Sequence, residues 1–387
     1  MDPSRTTLIG LVGTTDRAGG AEKAFRAIVT GLRDQVGMNL IVATHVQPRE
    51  PDDDFDPIVL RPDGVRPGLG MLRRFREVIE TAPRPAILFP FQLRANIVAM
   101  MANSALPASS RLPSVLNDRS SIEDMLSPQP NDGLRQRMAL VGLRRAARFA
   151  YRRGSRVVCN ARANEATVRA FVGGEGPPVS TIYNPLDALG IQARFPERDR
   201  TSWIDESSPV IVTHGRMDQK KGFDTLLRAF ALVLERCPQA RLRIVGDGPE
   251  RERLFSLARE LEVFERCDFP GFLSDPIAAI EDGDVYVLPS RWEGLPNALL
   301  EAIAAGLPSI ATRCPTGPDE ILEDGRVGRL VAVDAVAEMS EAISEILRNA
   351  SLRVDLSKRS RRRALDFSLD RAVSEFALLF ERVLESR

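Results

Sequence analysis

The sequence predicts an α/β protein of two doubly wound, Rossmann-like parallel-sheet domains, and two observations point that way. Short apolar runs alternate with amphipathic runs from one end to the other. Near-continuous apolar strands separated by helices indicate parallel sheets covered on both faces. A polar break at 190–208, IQARFPERDRTSWIDESSP, follows the turn signal Asn184-Pro185 and precedes a fresh first strand.

In chain order, TLIGLVG, MNLIVAT, PAILFPF, PSVLN, RVVCN and VSTIYN read as strands, with AEKAFRAIVTGLR and RANIVAMMANSAL as helices between them. The second half repeats the scheme with PVIVTH, ARLRIVG, DFPG, DVYVLPS, LPSIA and GRLV. In FDTLLRAFALVLERC, Phe223, Leu226, Leu227, Phe230 and Leu234 share one face at the helical period. The expected domains are 1–190 and 205–368, with 369–387 a final amphipathic helix that packs back on the first domain. Ligands of such open sheets sit beyond the carboxyl ends of the strands, and a cleft between two facing domains is the default site.

The 387 residues suffice for two or three domains, and 43% hydrophobic with 27% charged residues is ordinary for a globular chain. The zero net charge conceals an asymmetry. Residues 1–190 hold 25 basic and 19 acidic side chains, and 191–387 hold 28 and 34. A basic first half suits an anionic partner. Only four residues are lysine, which makes Lys220-Lys221 conspicuous. Cys159, Cys237, Cys267 and Cys314 form no CxxC, so reduced thiols in a cytoplasmic protein are expected, without structural zinc. LIGLVG is too short for a leader, and no run reaches ~18 apolar residues, so neither signal peptide nor membrane span is expected.

The candidate chemistry lies at strand ends in the second half. PVIVTH runs into GRMDQKKG, where Arg216 and Lys221 lie five apart. A planar guanidinium and a flexible ammonium there suit a diphosphate, although a solvated basic loop has the same composition. LRIVGDGPE sets Gly246, Asp247 and Gly248 after the next strand, where backbone can approach a ligand or simply turn tightly. DVYVLPS leads into RWEGLPNALLEAIAAG. Pro296 is expected as the first helical residue, with Asn297 at the helix start. Backbone amides there form an anion site. Glu293 precedes the helix and Glu301 lies in its early turns, so both carboxylates flank one pocket and suit vicinal sugar hydroxyls. A helix-dipole role for Glu301 and an exposed loop charge for Glu293 are the plainer alternatives.

Taken in order, GRMDQKKG, GDGP, PSRWEGLP and the Glu293/Glu301 pair resemble the donor domain of family 4 retaining glycosyltransferases, glycosyl transferases group 1, over about residues 209–332. CPTGPDEIL and GRVGRLV continue the likeness. In the first half TTDRAGGAEKAF, with Gly19 and Gly20, and IYNPLD match more loosely. The resemblance implies the GT-B fold, its two domains facing across a cleft, and a hexosyltransferase-type enzyme (EC 2.4) of polysaccharide or glycoconjugate biosynthesis. It would use a nucleotide sugar as substrate, UDP-linked rather than GDP-linked, and a glycan or lipid-linked saccharide as acceptor. Arg216 and Lys221 would hold the diphosphate, Glu301 the ribose and Glu293 the transferred sugar. Amides around Gly294, Leu295 and Pro296 would support sugar and phosphate, and the Gly19–Gly20 loop would close over them. Glu293, Lys221 and Arg216 are the implied catalytic residues. No cofactor and no metal are expected.

Two features depart from the family pattern. Many members carry a His in the first domain near the transferred sugar; here VLNDRSS, with Asn117, Asp118 and Arg119, occupies that place. Asp282-Gly283-Asp284 mimics a DxD metal motif but precedes its apolar strand, which favours a helix-to-strand turn. In 134–153, Arg137, Arg144, Arg145, Arg148 and Arg152 fall in roughly a 100° arc at ~100° per residue, opposite Leu140, Leu143, Ala147 and Ala150. Such a face suits anionic lipid at the inner membrane face, or is simply solvated. Nucleic acid is disfavoured because no aromatics interleave with the arginines. A catalytically silent sugar-nucleotide or glycan-binding subunit, and a related epimerase or phosphorylase, are the competing readings.

Overall fold

The computed structural model describes residues 5–15, 20–48, 54–61, 69–119, 122–127, 133–174, 176–195, 208–275 and 277–386. The chain divides into two compact units, 1–185 with 369–387, and 186–368.

In the first unit the strands are β1 (Thr7–Val12), β2 (Asn39–Val46), β3 (Ile58–Arg61), β4 (Ala86–Pro90), β5 (Val115–Asp118), β6 (Arg156–Cys159) and β7 (Val179–Thr181). They form parallel sheets ordered β3-β2-β1-β4 and β5-β6-β7, joined by single bridges from Leu88 to Ser114 and Phe91 to Asn117. The edge strand β3 escaped the sequence reading, because IVLR is short and only Leu60 is fully buried. The final helix Leu369–Glu385 belongs to this unit. Its Phe376 and Phe380 meet Phe89 edge-on at 5.2 and 5.4 Å. Edge-to-face packing of this kind adds to the area buried by each ring.

The second unit holds β8 (Val210–His214), β9 (Arg241–Val245), β10 (Cys267–Gly271), β11 (Val285–Leu288), β12 (Ser309–Thr312) and β13 (Arg329–Val331), in the all-parallel order β10-β9-β8-β11-β12-β13. The helix Phe223–Arg236 buries Phe223, Leu226, Leu227, Phe230 and Val233; Leu234 is only partly buried. The division falls after Pro185 rather than at 190. Leu186 N donates to Phe367 O at 2.8 Å, and Gln192 Nε2 donates to Arg361 O at 2.9 Å. These bonds hold the helix Ala188–Arg194 in the second unit. The expected start at 205 lies outside the described residues.

Candidate active site

The six-stranded sheet reverses its winding between β8 and β11, and a doubly wound sheet opens its ligand crevice beyond the carboxyl ends at such a point. Two loops meet there, Gly215–Gly222 after β8 and Pro289–Pro296 after β11. Gly222 holds them together by lacking a side chain. Its φ is 64°, and a Cβ there would lie 2.0 Å from Pro289 O. Arg291 staples the same junction: its amide donates to Lys220 O at 2.7 Å, and its guanidinium reaches Gln219 O at 2.6 Å and Asp224 Oδ2 at 2.9 Å. Its hydrogen bonds to Asp224 and to Asp334 hold the Arg291 pKa above its ordinary value against a burial cost. Gly246 does for β9 what Gly222 does for β11. Its φ is 140°, and a Cβ would lie 1.9 Å from Gly215 O. The packing of the two loops therefore requires a glycine there, whether or not a ligand is present.

The junction aligns four of the sequence-predicted residues. Lys221 Nζ donates to Glu293 Oε1 at 2.7 Å, the side chains being 14% and 10% exposed. Ser290 Oγ donates to the same oxygen at 2.6 Å. Glu301, on the helix Asn297–Ala304, bonds through Oε2 to His214 Nε2 at 2.8 Å, the side chains being 14% and 10% exposed. Arg216 is exposed; its carbonyl accepts from Asp218 N at 2.9 Å, and its guanidinium makes no hydrogen bond or ion pair to the described residues. An ammonium has three N–H donors, so Lys221 can hold Glu293 and still reach an anion. The site thus presents an unneutralised guanidinium, a shared ammonium and two fixed carboxylates.

The amide-bearing residues lie where the second loop turns into the helix. Leu295 is buried and offers only its backbone. Pro296 is not the first helical residue: at φ −72°, ψ 104° it is extended and caps the helix, its carbonyl accepting from Leu299 N and Leu300 N at 3.1 and 3.2 Å. Asn297 opens the helix and Gly294 precedes the cap. Thr316 Oγ1 donates to Glu293 O from the loop after β12. Gly20 is exposed and opens the helix Gly20–Val36 of the first unit, while Gly19 lies outside the described residues.

His214, Ser290, Arg291 and Thr316 were missed as site residues. Their letters stood inside quoted motifs, but their contacts join segments far apart in the chain. Cys314, buried nearby, has its thiol pushed up to about 12, mainly by burial and next by Glu293, which makes it a poor nucleophile.

Three further motifs resolve differently. Arg119 is buried, donating to Ile182 O at 3.0 Å and to Asn117 Oδ1 at 2.9 Å, with its guanidinium 4.7 Å over the Phe91 ring. Burial pushes its pKa down to about 9. This arginine serves the core of the first unit. Asp284 Oδ2 accepts from Val210 N at 2.7 Å, anchoring the start of β8, and Asp282 Oδ2 accepts from Arg243 Nη1 on β9 at 3.3 Å. The arginine face of the helix Leu134–Arg153 is only partly free. Arg152 Nε donates to Val172 O at 2.8 Å, and Arg144 lies 5.7 Å over Phe171. The same solvent side carries Leu134, Met138 and Val141, exposed by 77%, 67% and 53%.

Residues 195–363 match the model of the glycosyl transferases group 1 family. LpsE of Rhizobium meliloti, a lipopolysaccharide core biosynthesis glycosyltransferase, is 37% identical over 152 residues, 39% of this chain and 43% of that protein. The chain spans less than half the length of the first curated relatives it matches. Among solved structures, HepE of Anabaena in complex with UDP has a TM-score of 0.76 at 19% identity, covering 98% of this chain and 100% of that one. Sucrose-phosphate synthase of Thermosynechococcus elongatus has a TM-score of 0.80 at 19% identity, covering 99% and 100%. Each unit is Rossmann-like, the whole chain shares the GT-B fold of these solved structures, and residues 195–363 are similar to the glycosyl transferases group 1 family.

Proposed function

We propose that the protein is a retaining glycosyltransferase that moves a sugar from a nucleoside diphosphate, preferably UDP, to a saccharide or lipid-linked acceptor. The observation that carries this is the convergence of Arg216, Lys221, Glu293 and Glu301 at the β8/β11 switch point. Arg216 and Lys221 hold the diphosphate. Glu301 accepts from the ribose hydroxyls, and Glu293 from hydroxyls of the transferred sugar. In the reaction the bond between the anomeric carbon and the diphosphate oxygen breaks, and the acceptor oxygen bonds that carbon. The acceptor proton leaves with the departing phosphate. Charge grows on the diphosphate, so cations fixed beside it are worth more in the transition state than before it. Attack from the leaving-group face retains configuration and needs no protein nucleophile. HepE, described with UDP, supports UDP as the donor base, and LpsE supports a glycoconjugate product.

The decisive experiment incubates the protein with UDP-sugars and GDP-sugars and measures release of nucleoside diphosphate, with and without a chelator. Release from a UDP-sugar that persists in chelator supports the reading. Binding without turnover, even with saccharide acceptors added, points instead to a silent binding subunit.

For the acceptor side, the helix Leu134–Arg153 carries seven arginines and no acidic residue, besides its exposed apolar positions. That combination suits the surface of an anionic bilayer holding a lipid-linked acceptor. Among the described residues, no helix is long and apolar enough to cross a membrane.

A further inference from the structure

Glu301 can read a ribose only if its carboxylate is held still, and the structure contains a group placed to hold it. His214 is the last residue of β8, and Glu301 lies 87 residues later on the helix after β11. Their side chains meet at 2.8 Å through Nε2 and Oε2, both largely buried. A carboxylate only accepts, so the shared hydrogen belongs to Nε2. Nδ1 is buried and has no hydrogen-bond partner among the described residues, so the ring has no second polar contact that would draw it elsewhere. Its orientation comes instead from packing, edge-on against the buried Tyr286 of β11 with centroids 5.6 Å apart. The sheet therefore fixes the ring, and the ring fixes one carboxylate oxygen.

We propose that His214 is a positioning residue: by donating to Oε2 it locks Glu301 so that Oε1 faces the vicinal hydroxyls of the donor's ribose. This rests on the donor-site reading above. A carboxylate held by one donor spends less conformational freedom on binding, and the hydrogen bond to each hydroxyl is correspondingly better made. The consequence is selectivity. A fixed acceptor distinguishes a ribose from a 2′-deoxyribose, whereas a carboxylate free to rotate meets either sugar equally poorly.

The test is calorimetric titration of UDP and 2′-deoxy-UDP into wild type, His214→Phe, His214→Gln and Glu301→Gln, each checked by thermal melting. Wild type should prefer UDP by about tenfold, the size of one well-made hydrogen bond to a charged group. His214→Phe keeps the ring against Tyr286 but removes the donor; it should bring the preference to about twofold, chiefly by weakening UDP. His214→Gln, which presents an amide N–H at similar reach, should recover most of it. The same pattern should appear in KM, with kcat nearly unchanged. A merely structural role would weaken both ligands together and leave the ratio intact. If His214→Phe retains the wild-type ratio, or Gln loses as much as Phe, the inference is overturned while the donor site stands. If wild type binds neither UDP nor GDP, the donor-site reading itself fails and this inference goes with it.

Discussion

At the scale of single residues, Lys221, Glu293 and Glu301 are engaged with neighbouring side chains, and the Arg216 guanidinium is not. Lys221 rests on Glu293, and Ser290 adds a second donor to the same oxygen. A diphosphate must therefore draw Lys221 partly away from a carboxylate, whereas Arg216 is ready without rearrangement. This shapes two expectations. Lys221→Ala should lower turnover by on the order of 10²-fold, because the lost charge matters most when the diphosphate departs. Glu293→Gln should also lower turnover, yet bind UDP at least as tightly as wild type, since its amide no longer competes for the ammonium. Steady-state kinetics beside calorimetry measures both. Full turnover in Lys221→Ala, or UDP binding weakened by Glu293→Gln, would show that the roles are assigned wrongly.

At the scale of elements, a helix can look uniform in sequence and have two kinds of surface in place. In Leu134–Arg153, Ala147, Ala150 and Tyr151 are buried against the first unit's core. Beyond them, Arg152 satisfies a carbonyl at the end of the helix Arg162–Val172, a favourable place for a cation. That arginine and Arg144 are thus partly committed to the fold. Arg135 and Arg145 are exposed, as are Leu134, Met138 and Val141. A vesicle-sedimentation experiment on variants of these residues tests membrane contact. Arg135→Glu with Arg145→Glu should weaken sedimentation with anionic vesicles by roughly 1 kcal/mol per charge removed. Leu134→Ser with Met138→Ser should weaken it further at high salt, where screening leaves the apolar term. Equal sedimentation of wild type and both variants with anionic and neutral vesicles would remove the membrane from the account.

At the scale of the molecule, pH stability should carry the mark of a partly buried histidine. His45 on β2 has its pKa pushed down to about 4, first by burial and then by Arg94. The unfolded chain takes up a proton as pH falls through its ordinary 6.5, while the folded chain resists until about 4. Its contribution is therefore complete above pH 6.5, declines as pH falls, and levels off below about 4, with an upper size of about 3 kcal/mol. Urea midpoints between pH 7 and 5 should fall in wild type and fall less in His45→Leu. Parallel slopes would show that other groups set the acid limit.

The sequence by itself determined the alternation of strands and helices, the all-parallel character of the sheets and the loops that carry Arg216, Lys221, Glu293 and Glu301. These follow from local periodicity and from glycine, proline and charge at strand ends. The edge strand β3 stayed hidden because four residues, of which only Leu60 is fully buried, have too little pattern. Only the tertiary structure decided what each polar group meets. It joined Lys221 to Glu293, His214 to Glu301 and Arg291 to the lysine loop. It turned Arg119 into the core and gave Gly246 a packing duty. The physical reason is the same in each case. Periodicity reports which face of an element is buried, but a hydrogen bond between side chains 72 or 87 residues apart exists only once strand order has brought β8 beside β11.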